Sequence, residues 1–331
     1  MGGKTKMKVL ITGGAGYLGS WLVRDLIQKK HKVTVLDAGF YGFNSLKDIP
    51  VKIIHKDIRN ITSDQIKNND VIIHLASIVG DAACNLDPKE TIEINFEATK
   101  NIANLCSQLG KKLIFSSTCS VYGTSPKKIS SEDDKTVNPI SLYGRTKLKS
   151  EEAIKKSGCD YSIFRLGTLF GLSYRMRFDL AINLFIAKAI IREKITVFGG
   201  DQWRPFLHVR DAADVFAKFL NRSGKDVFNV AFDNFKIIDV ATKICEIFKV
   251  DYTVTKNIVD RRDYHVNCQK LLDSGWKTRR NIKDACVEIE TAYNFGFWKN
   301  YKDTIYSNHK FLFENKELMK RVYTLGVIPG K

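Results

Sequence analysis

The sequence predicts an α/β chain: a doubly wound parallel sheet with a smaller, mostly helical C-terminal lobe. Three observations predict it. Short Val/Ile/Leu/Phe-rich runs alternate with helical patterns between residues 8 and 165. The runs are almost continuously apolar, as strands covered on both faces are. The first run ends on Gly13-Gly14-Ala15-Gly16-Tyr17-Leu18-Gly19, which opens straight into a helical pattern, the order strand, glycine turn, helix that a doubly wound fold begins with.

Strands are expected at Lys8 to Thr12, Lys32 to Leu36, Val51 to His55, Val71 to Leu75, Lys111 to Ser116 and Tyr161 to Arg165. Helices are expected at Tyr17 to Lys30, Thr91 to Leu109 and Ile140 to Lys156. Such alternation builds parallel crossovers. After Gly171 the rhythm changes: a helical stretch Asp179 to Arg192, a short strand Ile195 to Phe198, a helix over 209–221 and a strand Val227 to Ala231. The last two read as returning to the main sheet. Residues 235–331 read as a mostly helical lobe with a basic tail, and no internal repeat or low-complexity segment is evident.

Composition narrows the class. A chain of 331 residues with 44% hydrophobic and 27% charged residues fits a globular protein of one large domain and a smaller lobe. No apolar run approaches the roughly 18 residues of a membrane span. The basic start Met1 to Lys6 leads into a short strand rather than a signal-peptide core, and Lys6 breaks a myristoylation pattern. Gly3-Lys4-Thr5 imitates the end of a P-loop but lacks its leading glycine. The seven cysteines are dispersed, without a Cys-x-x-Cys pair or Cys/His cluster. That pattern reads as reduced thiols in a cytoplasmic protein without a structural metal. The net charge of +17 is spread along the chain. It reads as a lysine-rich surface suited to anionic small molecules rather than as a nucleic-acid stripe or a membrane anchor.

The glycine turn carries the first chemistry. Gly13-x-x-Gly16-x-x-Gly19 permits a tight turn, close approach of backbone N–H groups to a pyrophosphate, and the positive end of a helix beneath it. Asp37 ends the second strand eighteen residues beyond Gly19. A carboxylate there accepts from the ribose hydroxyls of the adenosine and repels a 2′-phosphate, so the dinucleotide is expected to be NAD rather than NADP.

A second constellation supplies a base. Tyr143 and Lys147 stand at i and i+4, one face of a helix. An ammonium near a phenol, with a cationic nicotinamide beside it, lowers the phenol pKa and lets it take a proton near neutral pH. Ser116-Ser117-Thr118 end a strand, where side chains enter the ligand crevice of an open α/β sheet. Thr118 can hydrogen-bond the reacting oxygen beside Tyr143.

Together these pieces resemble the extended short-chain dehydrogenase/reductase superfamily, in its NAD-dependent nucleotide-sugar epimerase/dehydratase branch. The matching stretches are Thr12 to Gly19, Asp37, Asp57-Ile58, His74-Leu75-Ala76-Ser77, Asn95, Ser116 to Gly123, Tyr143 to Lys147 and Arg204 to Val209, in family order. The resemblance implies a Rossmann domain over 1–172, completed by about 205–232, and a nucleotide-sugar lobe formed by 173–204 and 233–331. It assigns Gly13, Gly16, Tyr17, Leu18, Gly19, Asp37, Leu75, Ala76, Ser77, Asn95 and Ser116 to the cofactor, Asp57 and Ile58 to the adenine, and Lys147 to the nicotinamide ribose. Thr118, Tyr143 and Lys147 become the catalytic set, with Tyr143 as base. Thr118, Asn183, Arg204 and Arg262 become substrate contacts, with Arg261 an alternative to Arg262. Arginine suits a diphosphate because its planar fork bonds two oxygens. A homodimer through helices that include Tyr143 to Lys147 is the family expectation.

Members of this branch begin alike, with hydride leaving the sugar, usually at C4. Family dehydratases and decarboxylases carry an acidic residue between the catalytic Thr and the Val-Tyr-Gly; here Cys119 and Ser120 stand there. That disfavours 4,6-dehydration, the alternative reading, and leaves a 4-epimerase or a C4 dehydrogenase. Ser120 and Asp37 also argue against the NADPH-dependent epimerase-reductases of the fucose pathway. A non-catalytic dinucleotide sensor, a rival of another class, would be expected to have lost Tyr143 or Lys147. Gly80 to Cys84 is expected to line the sugar pocket. Arg175 to Asp179 is either a basic entrance for the diphosphate or a solvated loop.

Overall fold

The apolar runs become strands because each alternates its side chains between two covered faces. A computed structural model describes residues 6–135, 137–255, 260 and 262–316. In it Val9 and Ile11 pack with Leu22, Val23 and Leu26 of the first helix, Gly19–Gln28, on one side of the sheet. Leu10 packs with Ile102, Ala103 and Ile154 on the other. All three strand residues are fully buried.

Seven strands form the main sheet in the order Lys225–Val230, Asp160–Leu166, Lys112–Thr118, Val71–His74, Lys8–Thr12, Lys32–Asp37, Lys52–His55. Every neighbouring pair is parallel. The chain winds outward from the first strand in one direction, then restarts on its other side with Val71–His74. The reversal falls between those two strands, where an open α/β sheet leaves a crevice. Thr12 is in register with His74, so the glycine turn and Leu75-Ala76 emerge side by side.

The six expected strands of the first half are all present, with ends moved by a residue or two. The strand at Lys225–Val230 joins the main sheet beside Asp160–Leu166, and the helix Val209–Lys218 packs on Gly19–Gln28. The expected helix from Thr91 to Leu109 is interrupted: Pro88–Ile92 and Ala98–Gln108 flank a wide π turn at Glu93–Glu97, a distortion frequent near functional sites. The C-terminal part is more β-rich than expected. Besides helices Ile237–Phe248, Gln269–Asp273, Ile282–Asn294 and Asn308–Glu314, it contributes strands to three small sheets. Asp233–Lys236 joins Trp203–His208 and Thr168–Phe170, Tyr252–Thr255 joins Ile195–Phe198, and Asp263–Val266 joins Thr124–Ser130. Gly3 to Thr5 and the basic tail from 317 lie outside the described residues. Among the described residues no helix is long and apolar enough to cross a membrane, and no His/Cys/Asp/Glu group is arranged to hold a metal. None of the seven cysteines is in a disulfide.

Candidate active site

A cavity of about 770 Å³ opens at the crevice. Its floor begins with the glycine turn. Gly13 has φ 74°, and a Cβ there would stand 2.6 Å from the Ala76 nitrogen. A Cβ on Gly19 would stand 2.7 Å from the Gly14 Cα. No side chain caps the following helix, which leaves its N-terminal N–H groups to an anion. Gly13, Gly16, Tyr17, Leu18 and Gly19 all line the cavity. Asp37 lines it too, held by N–H donors from Ala15 (3.0 Å) and Gly39 (2.9 Å). Burial raises its pKa against the pull of those two donors. Asp57 caps the turn Ile58–Asn60 and is gripped by Arg59; both Asp57 and Ile58 line the cavity, as do Leu75, Ala76, Ser77 and Ser116. The turn is a cradle that any added Cβ would fill, with a carboxylate at the ribose end, and it fits NAD.

The helix Leu142–Ser157 starts where the Ser141 hydroxyl accepts from the Gly144 N–H at 3.1 Å and stops at Gly158, φ 82°. It carries Tyr143 and Lys147 into the same cavity. The Thr118 hydroxyl lines the cavity with the Tyr143 phenol, whose pKa it pulls down, and accepts from the Ser120 N–H at 3.1 Å. Lys147, 2% exposed, donates to the Ser116 carbonyl at 2.8 Å. Burial holds its ammonium down at about 7. The expected lowering of the phenol is not met by these residues alone. Burial pushes Tyr143 above the ordinary phenol range, the Cys84 thiol adds to that, and Arg177 and Thr118 pull the other way. The ammonium spends itself on Ser116 rather than on the phenol oxygen.

Two of the expected contact residues are bonded to the protein itself. Asn95 stands in the π turn, 1% exposed and outside the cavity wall. Its Oδ1 accepts from the Ser77 hydroxyl and the Ile78 N–H, both at 2.8 Å, and its amide donates to the Ile78 carbonyl. It positions the loop after the fourth strand. Asn183 is fully buried and also outside the wall. Its Oδ1 accepts from the Gly171 N–H, and its amide donates to Tyr17 Oη and the Arg177 carbonyl.

The alternative at Arg175 to Asp179 resolves toward the pocket. Arg175 and Arg177 are 7% and 9% exposed and line the cavity. Arg177 is bonded twice to Asp179 (2.9 and 3.0 Å), and Arg175 lies 3.8 Å over the Tyr41 ring with one nitrogen on Asn308. Arg204 and Arg262 line the cavity as expected, while Arg261 lies outside the described residues. Both arginines hold Asp260, whose carboxyl is depressed to about 2 chiefly by the Arg262 hydrogen bonds, against the opposing effect of burial. Gly80 to Ala83, from the segment expected to line the sugar pocket, are in the wall, Asp81 among them. Sequence reasoning missed Tyr41, Tyr264 and Asn308 there.

Residues 9–231 match the NAD dependent epimerase/dehydratase family. This chain belongs to that family. Its members include relatives of different activities. The family member is 28% identical over 314 residues to a UDP-N-acetyl-alpha-D-glucosaminuronate decarboxylase of Bacillus cytotoxicus, covering 88% of this chain and 92% of the relative. It is 28% identical over 328 residues to a UDP-glucose 4-epimerase of Lactobacillus helveticus, covering 83% and 98%. Its fold matches that of a UDP-N-acetylglucosamine 4-epimerase from Methanobrevibacter ruminantium, in complex with UDP-N-acetylmuramic acid, with a TM-score of 0.79 at 24% identity over 88% of this chain and 99% of that one. The family member is thus an NAD-dependent enzyme of the nucleotide-sugar epimerase, decarboxylase and dehydratase group.

Proposed function

We propose that this chain oxidises a nucleotide diphospho-sugar at C4, as a 4-epimerase or a C4 dehydrogenase. The observation that carries the reading is that Thr118, Tyr143 and Lys147 line one cavity, the same one that the glycine turn lines. Bound NAD is the hydride acceptor. On the protein side, Tyr143 takes the proton of the sugar hydroxyl, Thr118 holds the reacting oxygen against the phenol, and Lys147 holds the nicotinamide ribose. Arg204 and Arg262 receive the diphosphate. Residues 1–172 with about 205–232 hold the cofactor, 173–204 with 233–331 hold the nucleotide-sugar, and two chains pair through helices including Leu142–Ser157.

Elimination and decarboxylation are disfavoured by the two residues after Thr118. The Cys119 thiol is 1% exposed and donates to the Arg165 carbonyl. Ser120 lines the cavity with its hydroxyl on Tyr264 at 3.0 Å. Neither is an acid.

The test is a panel of UDP-, GDP-, CDP- and dTDP-sugars, with product identity and reduced-nicotinamide absorbance as readouts. A product inverted at C4 without net absorbance change is an epimerase; accumulating absorbance is a dehydrogenase. Tyr143→Phe is expected to lower turnover by about 10²–10⁴-fold while NAD affinity stays within a few-fold. Unchanged turnover in that variant overturns the mechanism.

A further inference from the structure

Four charged side chains from separate stretches meet in the cavity wall. Arg204 Nη2 contacts Asp260 at 2.8 Å. Arg262 holds Asp260 through Nε (2.9 Å) and Nη2 (2.5 Å), and reaches Asp81 Oδ2 through Nη1 at 3.2 Å. The group is neutral. Asp81 begins the short helix Asp81–Cys84 after Gly80, φ 96°. Its other oxygen, Oδ1, is shut off from solvent and has no hydrogen-bond partner among the described residues. The short helix that Asp81 opens packs on Leu142–Ser157, and Asp81 and Tyr143 line the same cavity, which sets this carboxylate on the side of the proposed base.

We propose that Asp81 reads the sugar, accepting a hydrogen bond from a hydroxyl or acylamino N–H of a neutral nucleotide-linked hexose and rejecting a hexuronate. The inference rests on the proposed nucleotide-sugar chemistry of this site. A carboxylate only accepts; Oδ1 is shut in, so the open part of this 28% exposed side chain is the Oδ2 side that Arg262 holds, and whatever takes the place of Arg262 there must donate. A uronate places a second negative charge there, which works against the wrong ligand as well as failing to help it. Arg177 offers the uronate no relief, since Asp179 already holds its fork. Arg262 couples the two ends. A diphosphate is a strong bidentate partner for guanidinium, and as Arg262 turns to it, Asp81 Oδ2 loses the guanidinium that holds it. A sugar donor then satisfies the carboxylate that the diphosphate has freed.

The test uses the NAD-loaded full chain carrying Tyr143→Phe, so that nothing turns over. Calorimetry compares UDP, UDP-glucose and UDP-glucuronate, and the dTDP equivalents, with and without Asp81→Asn. The parent is expected to prefer the neutral hexose by about 30-fold or more, the scale of a like-charge juxtaposition. Asp81→Asn is expected to narrow that preference to about 3-fold or less, with affinity for the bare nucleoside diphosphate kept or raised because Arg262 is released. Retained diphosphate binding shows that the variant is folded, and Asp81→Ala repeats the measurement should Asn distort the wall. If the parent binds hexose and hexuronate alike, or if both Asp81 variants discriminate as the parent does, the proposal falls while the site reading stands. If the parent binds none of these nucleotides, the site reading falls and takes the proposal with it.

Discussion

Behind the catalytic strand and helix lies a buried ion pair whose removal has a predictable size. Glu151 is 0% exposed and Arg165 3%. The guanidinium meets the carboxylate through Nε (3.1 and 3.2 Å) and Nη2 (2.8 Å), and its Nη1 donates to the Tyr122 hydroxyl at 2.9 Å. The Ser117 hydroxyl, next to Thr118, donates to Glu151 at 2.5 Å. Arg165→Met leaves the buried Glu151 carboxyl without its fork, and such a break costs about 3–5 kcal/mol. Lys155, at 3.9 Å and much more exposed, cannot replace it. Glu151→Leu combined with Arg165→Met removes both charges, and replacing a buried pair by apolar groups is often neutral to stability. Thermal melts of the two variants make the comparison. The single variant is expected to melt roughly 6–10 °C lower, taking about 2 °C per kcal/mol for a long chain. The double variant is expected to recover most of that loss. A single variant melting with the parent, or a double variant worse than the single, refutes the view that the pair is held by mutual neutralisation.

The cavity itself offers two more perturbations. Gly19→Ala would press a methyl group on the backbone of Gly14; overpacking of this kind costs about 1–3 kcal/mol, so NAD affinity in a binding titration is expected to fall about tenfold, and an unchanged Kd counts against the cradle. Lys147, held at about 7 by burial, is neutral in the folded chain and charged in the unfolded one between that pH and the ordinary lysine value. The unfolded state then binds more protons, so stability without cofactor should rise with pH above 7 by up to about 1.4 kcal/mol per unit, and Lys147→Met should flatten the slope; equal slopes in both proteins refute the assignment.

How far the sequence led depended on whether a signal was local. Val9 to Ile11 announce a two-faced strand because burial on both sides leaves no polar position. Asp37 could be placed because it ends the neighbouring parallel strand, in contact with the turn through Ala15. The strands Thr124–Ser130 and Trp203–His208 gave no such signal, since each carries a proline and charged residues within a short run and owes its existence to partners distant in sequence. Asn95 and Asn183 show what a linear pattern leaves out. Their residue type suits ligand binding, yet backbone N–H and C=O groups of the loops beside them claim every polar atom. Backbone demand of that kind is invisible in a linear pattern, whereas it must be met in a folded interior. The Asp81–Arg262 contact joins the family-matched part of the chain to the part beyond it, and no local spacing could announce it.

The distribution of charge bears on how a chain of net charge +17 can hold anions selectively. Arg59, Arg165 and Arg177 each come with a carboxylate of their own, and Arg204 and Arg262 share Asp260 with Asp81 added. Pairs of this sort contribute nothing to the excess, which is carried by other side chains. Such charge attracts any polyanion and is screened beyond about 8–10 Å at physiological salt, so it cannot discriminate. Discrimination has to come from the paired arginines, because an incoming diphosphate must offer more than the carboxylate it displaces. Arg175 is the exception in the wall. Two of its nitrogens are buried without a partner among the described residues, and burial lowers its pKa to about 10. It lines the cavity with its guanidinium over the Tyr41 ring and one nitrogen on Asn308. The contrast is physical: an anion that meets Arg204 or Arg262 has to exchange partners with Asp260, whereas one that meets Arg175 fills an open donor set.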